Sequence, residues 1–266
     1  MIPMKFKENI SDLCPEELSE HIVHVLCTAG SMSFLQNNVR YNVIAKDYII
    51  LTNISLVSNI AASPDLKAII MHFPASFSAK AGLQSNYGVI GHLSLLQNPV
   101  MKLADKDFIN CRDSLLTLAK RIYETTHLFQ DELVAHLLSA HILDLFDIHS
   151  RYNVNRNISE HTAGLLSRFI SMLHEGEYRS NREIAYYAKA LCITPSYLSD
   201  ICRDVSGYSA GYWIDRFTVS ELARLLTDKT IPFNDIIDRL NFSSFSYFTR
   251  YTVKHLGMTP TQFRNR

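Results

Sequence analysis

Two sets of side chains near the C-terminal end are suited to reading a polynucleotide: Ser196, Ser199, Asp200 and Arg203, then Phe245, Ser246, Thr249 and Arg250. Arginine offers a planar fork of donors to phosphate oxygens or to guanine O6 and N7. Serine and threonine hydroxyls reach either, aspartate accepts from cytosine N4, and an aromatic ring meets the thymine methyl. Each set has the three- and four-residue spacing of one helix face. Around the first set Leu198, Ile201 and Cys202 form the inward stripe, and around the second Phe248 points inward. Taken alone, Arg203 and Arg250 are ordinary solvated arginines. Ser243 reads more readily as a helix cap than as a base reader, and Phe245 equally as a packing residue.

No other chemistry competes. The chain holds no GxSxG, HExxH, GxxxxGK[ST] or GxGxxG, so no catalytic residue is expected. Asp105 and Asp107 are a close carboxylate pair, but they open a helix, where acids are at home. His21, His24, His72 and His92 are scattered, and His21 and His24, three apart on a strand, face opposite sides. No metal and no cofactor is expected. Cys14, Cys27, Cys111, Cys192 and Cys202 include no CxxC pair and read as reduced, small hydrophobes.

Both sets need helices to present them. Residues 181–190 and 195–204 form a helix, a short turn at Leu191-Cys192-Ile193, and a second helix. Thr194 is its N-cap and Pro195 its first residue. In the first of these helices Ile184, Ala185 and Ala188 make the apolar stripe. The arrangement recurs over Phe233–Leu240, a turn at Asn241-Phe242, and Ser243–His255, capped by Ser243 and stopped at Gly257; a helix from Pro260 to Arg264 follows. Between the two units Ser209–Leu226 reads as one long helix with Trp213, Phe217, Leu222 and Leu226 in the core. Eighteen helical residues span ~27 Å, of the order of one duplex turn, ~34 Å. Another helix, Ser159–His174, precedes the pair.

The rest of the chain reads differently. Short β-branched and aromatic runs between polar breaks over 21–73 predict strands at His21–Cys27, Ser33–Gln36, Val39–Ile44, Tyr48–Leu51, Ser55–Ile60 and Leu66–Phe73. Many short strands with tight turns predict an all-β barrel or sandwich. Helices follow at 76–81, 88–97, Asp105–Thr125 and Gln130–Ile148. Leu115, Leu118, Ala119 and Ile122 give the third a stripe. Leu133, Leu137, Leu138, His141, Ile142, Leu145 and Ile148 give the fourth one. That pair packs either on its own β domain or against a second copy. Residues 1–150 are one domain, the Asn/Arg-rich stretch 151–158 a linker, and 159–266 a second domain. The whole is a two-domain α+β chain.

The 266 residues are 47% hydrophobic and 20% charged, ordinary for a globular chain able to bury sizeable cores. Formal charge is zero, but unevenly spread. Residues 1–155 carry 12 Lys+Arg against 15 Asp+Glu, residues 156–266 14 against 11, or −3 and +3. The C-terminal part is therefore the better match to a polyanion. No apolar run reaches the ~18 residues of a membrane span, and the N-terminal residues lack a signal peptide's apolar stretch, so a cytoplasmic location is expected.

Residues 180–266 resemble the DNA-binding domain of the AraC/XylS family of bacterial transcriptional regulators. The likeness runs through EIA at 183–185, ITPSYLS at 193–199, Gly207, ARLL at 223–226, FNDIIDRLNFSSFSYFTR at 233–250 and KHLGMTPTQFR at 254–264. The family's closing signature appears as Asn241-Phe242, Ser246-Tyr247-Phe248, Arg250, Gly257, Thr259, Pro260, Phe263 and Arg264. The resemblance implies two helix-turn-helix units joined by a long helix. By position, Ser196, Ser199, Asp200 and Arg203 read DNA in the first unit, and Phe245, Ser246, Thr249 and Arg250 in the second. Asp200 stands where Arg is common, Thr252-Val253 where Phe-Lys is common, Asn241 for the turn glycine, and Cys202 for a core aromatic.

More loosely, GSMSFLQNNVRYNVIAKDYIILTNIS at 30–55 is similar to the family's N-terminal, cupin-like β barrel. This implies a small-molecule effector, with His24, Tyr41 and His72 as candidate lining residues that fit a packed core equally well. It also implies a homodimer; the family resemblance as a whole implies double-stranded DNA as partner and contact with RNA polymerase, and the lack of a long apolar run predicts no membrane. The alternative reading is a regulator-derived protein-interaction module with weakened DNA binding, suggested by Asp200, Thr252 and Val253.

Overall fold

The structure, a computed structural model, describes residues 4–7, 9–13, 17–36, 39–74, 98–124, 126–152 and 159–265. The chain divides into two compact units, Met1–Asn155 and Arg156–Arg266. The first holds strands β1 (Lys5–Lys7), β2 (His21–Ala29), β3 (Ser31–Gln36), β4 (Val39–Ile44), β5 (Asp47–Leu51), β6 (Val57–Ala62), β7 (Lys67–Pro74) and β8 (Val100–Lys102). Helices α1 (Asp105–Arg121) and α2 (Gln130–Tyr152) follow. The helices expected at 76–81 and 88–97 lie outside the described residues, as do Cys14 and His92.

The expected cupin-like barrel is not formed. The strands make two separate antiparallel sheets, ordered β1-β7-β2-β5-β8 and β4-β3-β6. Among the described residues no ladder joins them, so both sheets keep open edges. The chain passes between sheets at Gly30, whose φ of 71° belongs to glycine. A Cβ there would lie 2.7 Å from the Leu66 backbone. Barrel closure depends on tilt and stagger shared by all strands, and a period-2 pattern in each strand encodes neither.

Alternation along the strands fixes three layers. One face of the five-stranded sheet (Val23, Val25, Cys27, Ile49, Leu51, Ile70) packs against Met32, Phe34 and Val43 of the smaller sheet. The other face (Ile22, Leu26, Tyr48, Ile50, Met71, Phe73) packs against Cys111, Leu115 and Leu118 of α1 and Leu138, Ile142 and Leu145 of α2. The α1 and α2 stripes are thus spent on their own sheet rather than on a second copy. Truncating a fully buried member such as Leu138 costs about 2–5 kcal/mol.

Some boundaries differ from expectation. β1 and β8 are three residues each, too short to show alternation. The strand expected from Ser55 begins instead as a 3-10 turn, Ile54–Leu56, where the Asn53 side chain accepts the Ser55 N–H at 2.8 Å. α2 runs to Tyr152, into the expected linker. There Arg151 pairs with Asp107 of α1 at 2.8 Å and with Asp147 at 3.2 Å, which holds the last turn. Residues 153–158 lie outside the described residues.

The second unit is helical: α3 (Glu160–His174), α4 (Ile184–Ala190), α5 (Pro195–Ser206), α6 (Ala210–Thr227), α7 (Phe233–Arg239), α8 (Phe245–Leu256) and α9 (Pro260–Arg264). α6 is the hub and packs on α4, α5, α7, α8 and α9. Trp213, Leu222 and Leu226 are buried in it, while Phe217 is half-buried against His174, ring centroids 5.1 Å apart. No helix of the described residues is long and apolar enough to cross a membrane.

Candidate nucleic-acid interface

α4–α5 and α7–α8 are built alike. Each has a seven-residue helix, a turn residue in the left-handed region, a capped twelve-residue helix, and a left-handed glycine that ends it. The turn residues are Cys192 (φ 58°) and Asn241 (φ 48°); the closing glycines are Gly207 (φ 80°) and Gly257 (φ 74°). Asparagine tolerates this conformation better than most non-glycine residues, which explains why Asn241 can replace glycine. Thr194 caps α5, its hydroxyl accepting the Tyr197 N–H at 3.2 Å, with Pro195 in the first turn. α8 is capped by Ser244, whose hydroxyl accepts the Tyr247 N–H at 3.1 Å, and not by the expected Ser243. Both are serines one residue apart, and only backbone geometry separates them. The inward side of α4 is Tyr187 and Ala188, followed by Leu191; of the expected stripe Ala188 is buried and Ile184 half-buried, while Ala185 is exposed.

On α5, Ser196, Asp200 and Arg203 are exposed, but Ser199 is only 7% exposed and faces inward, correcting its outward placement. The Asp200 carboxylate accepts from the Arg203 guanidinium at 3.0 Å. On α8, Phe245, Ser246 and Arg250 are exposed. Phe245 also touches the core, its ring 5.9 Å from that of Phe248. Thr249 is half-buried, and its hydroxyl is buried without a hydrogen-bond partner among the described residues. Thr252 is fully buried and donates to the Phe248 carbonyl at 2.8 Å, whereas Val253 is exposed. Cys202 fills the core, and burial pushes its thiol up to about 12. The two exposed faces differ in charge. α5 carries Asp200, Arg203 and Asp204; α8 carries Arg250 and Lys254 with no acid.

Polar anchors hold these helices on α6. The Tyr251 hydroxyl donates to the Asp215 carboxylate at 2.7 Å, and burial with that neighbouring charge holds its pKa far above the usual phenol value. The Trp213 indole N–H donates to the Ser206 hydroxyl at 2.8 Å, in the last turn of α5. The last part of the signature, Thr259 to Arg264, proves structural. Thr259 and Gln262 form a capping box, and Phe263 is buried. Arg264 donates to the Ile231 carbonyl at 2.7 Å with its guanidinium 4.1 Å from the Phe233 ring centroid. Sequence reading passed over Arg182, which donates to the carbonyls of Leu240 and, at 2.8 Å, Asn241. No pattern within either unit marks a bond between them.

The three candidate effector residues do not converge. His24 faces the helical layer, where its Nδ1 is 2.9 Å from the Tyr48 hydroxyl, itself 2.8 Å from His141 Nε2. Burial drives His141 down to about 4 and His24 well below the usual imidazole value. Tyr41 stacks on Phe34 on the opposite, inter-sheet side of the large sheet, ring centroids 5.3 Å apart. His72 lies on that side too, opposite Val23 in the ladder, edge-on to His21 at 5.1 Å. Both His72 ring nitrogens are buried without a partner among the described residues. No group of His, Cys, Asp and Glu suited to a metal occurs among the described residues.

A family model described as a helix-turn-helix domain matches residues 187–266. Over 85 residues the chain is 32% identical to the arabinose operon regulatory protein of Escherichia coli, covering 32% of this chain and 29% of that one. The chain thus matches under a third of that relative's length. Among solved structures, ToxT from Vibrio cholerae superposes with a TM-score of 0.52 at 14% identity, over 99% of this chain and 94% of ToxT. ToxT from V. cholerae O395 bound to (E)-4-(8-methylnaphthalen-1-yl)but-3-enoic acid gives 0.50 at 15% identity, over the same shares. At these identities the structural likeness speaks for the fold. Two capped helix pairs on one central helix, ending in a Thr-Pro-capped helix, make up the region that the helix-turn-helix model matches and that is similar to the arabinose operon regulatory protein.

Proposed function

We propose that the chain is a sequence-specific, DNA-binding transcriptional regulator that responds to a small organic effector. One observation carries the DNA reading: two helices of like construction, α5 and α8, expose Arg203 and Arg250 from a single eighteen-residue support, α6. Ser196, Asp200 and Arg203 form the contact set of the first unit, and Phe245, Ser246, Thr249 and Arg250 that of the second. α8, free of acids, supplies phosphate contacts, while Asp200 and Arg203 offer an acceptor and a donor to base edges. Gel-shift titration on the DNA upstream of its own gene, at two salt concentrations, tests this. A shifted duplex whose affinity falls with salt is expected, and no bound duplex at low micromolar protein refutes it.

A second reading, an interaction module derived from a regulator, draws on the Asp200–Arg203 pair, which occupies the one basic group of the α5 face. It predicts no salt-sensitive shift.

The effector proposal rests on the likeness to the acid-bound ToxT fold and on His72, whose two ring nitrogens are buried without a partner among the described residues and would suit a polar ligand. A homodimer is supported by Ile109 and Leu116, exposed apolar residues seven apart on the outer side of α1, with the exposed Tyr123 just past its end. Sedimentation velocity tests it. Contact with RNA polymerase would accompany activation, and a promoter–reporter assay with purified polymerase tests that.

A further inference from the structure

The segment before α4 and the turn after α7 are tied in both directions. Arg182 donates to the carbonyl of Leu240, the C-cap residue of α7, and to that of Asn241 at 2.8 Å. In return the Asn241 side-chain amide donates to the Ser180 carbonyl at 3.1 Å. The Arg182 guanidinium also lies 4.5 Å from the Phe242 ring centroid. Carbonyls at a helix C-terminus have no partner within the helix and sit at its negative end, so a planar, permanently charged fork is the side chain that suits them. These contacts join the first helix-turn-helix unit to the second without passing through α6.

We infer that Arg182 and Asn241 are positioning residues that lock the two reading helices at one fixed separation and rotation. The locked pair therefore discriminates between binding sites by the distance between their two halves. The inference rests on the DNA reading proposed above. It also gives a reason for asparagine at a left-handed turn position: glycine would adopt the conformation with less strain, but only a side chain reaches Ser180. Neither residue need touch DNA to set specificity, since a rigid two-headed reader rejects a mis-spaced site through geometry alone.

The test uses the full chain, wild type and as Arg182→Ala, Arg182→Lys and Asn241→Gly. The probes are the best duplex that the wild type enriches from a random pool and the same duplex with one base pair inserted between the two contacted halves. The insertion is expected to weaken wild-type binding by about tenfold or more, the scale of a lost base contact. For Arg182→Ala and Asn241→Gly the loss should shrink to about threefold or less, with Arg182→Lys between, because a lysine cannot hold two carbonyls in one plane. Asn241→Gly keeps the turn's backbone conformation, so it stays folded even where Arg182→Ala does not. An unchanged insertion penalty in Asn241→Gly overturns the inference. Electron-resonance distances between nitroxides on unnatural residues at positions 196 and 246 read the lock without DNA, and should broaden in both variants. A broadened distribution together with a wild-type chain that enriches no duplex supports the lock and refutes the DNA reading; an unbroadened one refutes the lock whatever the duplexes do.

Discussion

His141 makes the N-terminal unit acid-sensitive by an amount that can be worked out. The residue is 1% exposed, its Nε2 shares a hydrogen bond with the Tyr48 hydroxyl, and burial holds its pKa at about 4 against 6.5 in the open chain. The folded state therefore binds fewer protons than the unfolded state, and stability falls as pH drops. The contribution is whole above about pH 7 and is lost between about 6.5 and 4. Taking the chain from pH 7.5 to 5.0 costs about 2 kcal/mol from this one group. For a unit of this size that lowers the melting temperature by about 4–8 °C. His24, shifted the same way, adds to the loss. His141→Gln keeps a hydrogen-bonding group near the Tyr48 hydroxyl and removes the titration. Scanning calorimetry of both chains at pH 7.5, 6.0 and 5.0 should show the variant losing about 2 kcal/mol less. Equal pH dependence in the two would mean that the buried ring is not the acid-sensitive element.

Three further outcomes follow from the same geometry. Arg250→Ala should weaken binding to the selected duplex by about 1–3 kcal/mol and, for a phosphate contact, flatten the salt slope by about 0.9. Its melting temperature should stay unchanged, because the side chain is exposed; loss of both together would refute the contact. Ser244→Ala should cost about 1 kcal/mol and Ser243→Ala close to nothing, since only the former caps α8; the reverse order in urea melts would restore Ser243 as the cap. Gly30→Ala should destabilise the N-terminal unit by about 2 kcal/mol or more, from its positive φ and the Leu66 backbone 2.7 Å from the new Cβ. A neutral result would place the sheet-to-sheet corner elsewhere.

The C-terminal unit was legible because its determinants are local. Thr194-Pro195, Gly207, Gly257 and Thr259-Pro260 cap or stop helices through bonds that span three or four residues, and the structure places those ends there. Ser199 failed because it sits on the border of the α5 apolar stripe, one position from Leu198, where a helical wheel does not decide the side. The barrel failed for a non-local reason. β2 pairs with β5 and β7, partners more than twenty residues away, and which strands meet is not written in the alternation of any one of them. His24 and His72 could be recognised as strand residues, but their assignment to opposite faces needed the register of the β2–β7 ladder, His24 opposite Met71 and His72 opposite Val23. Arg182 was invisible for the same reason: its partners lie 58 and 59 residues further on.

The bond between Trp213 and Ser206 has a practical outcome. Trp213 is the only tryptophan of the chain, so ultraviolet emission excited at the indole band originates wholly from beneath the C-terminal end of α5. Tyr208 and Tyr212 surround the same indole, with centroids 6.4 and 5.3 Å away. Any tilt of α5 alters the environment of that chromophore. The unlabelled protein thus contains its own optical gauge, able to time the seating of one helix in a groove by stopped flow.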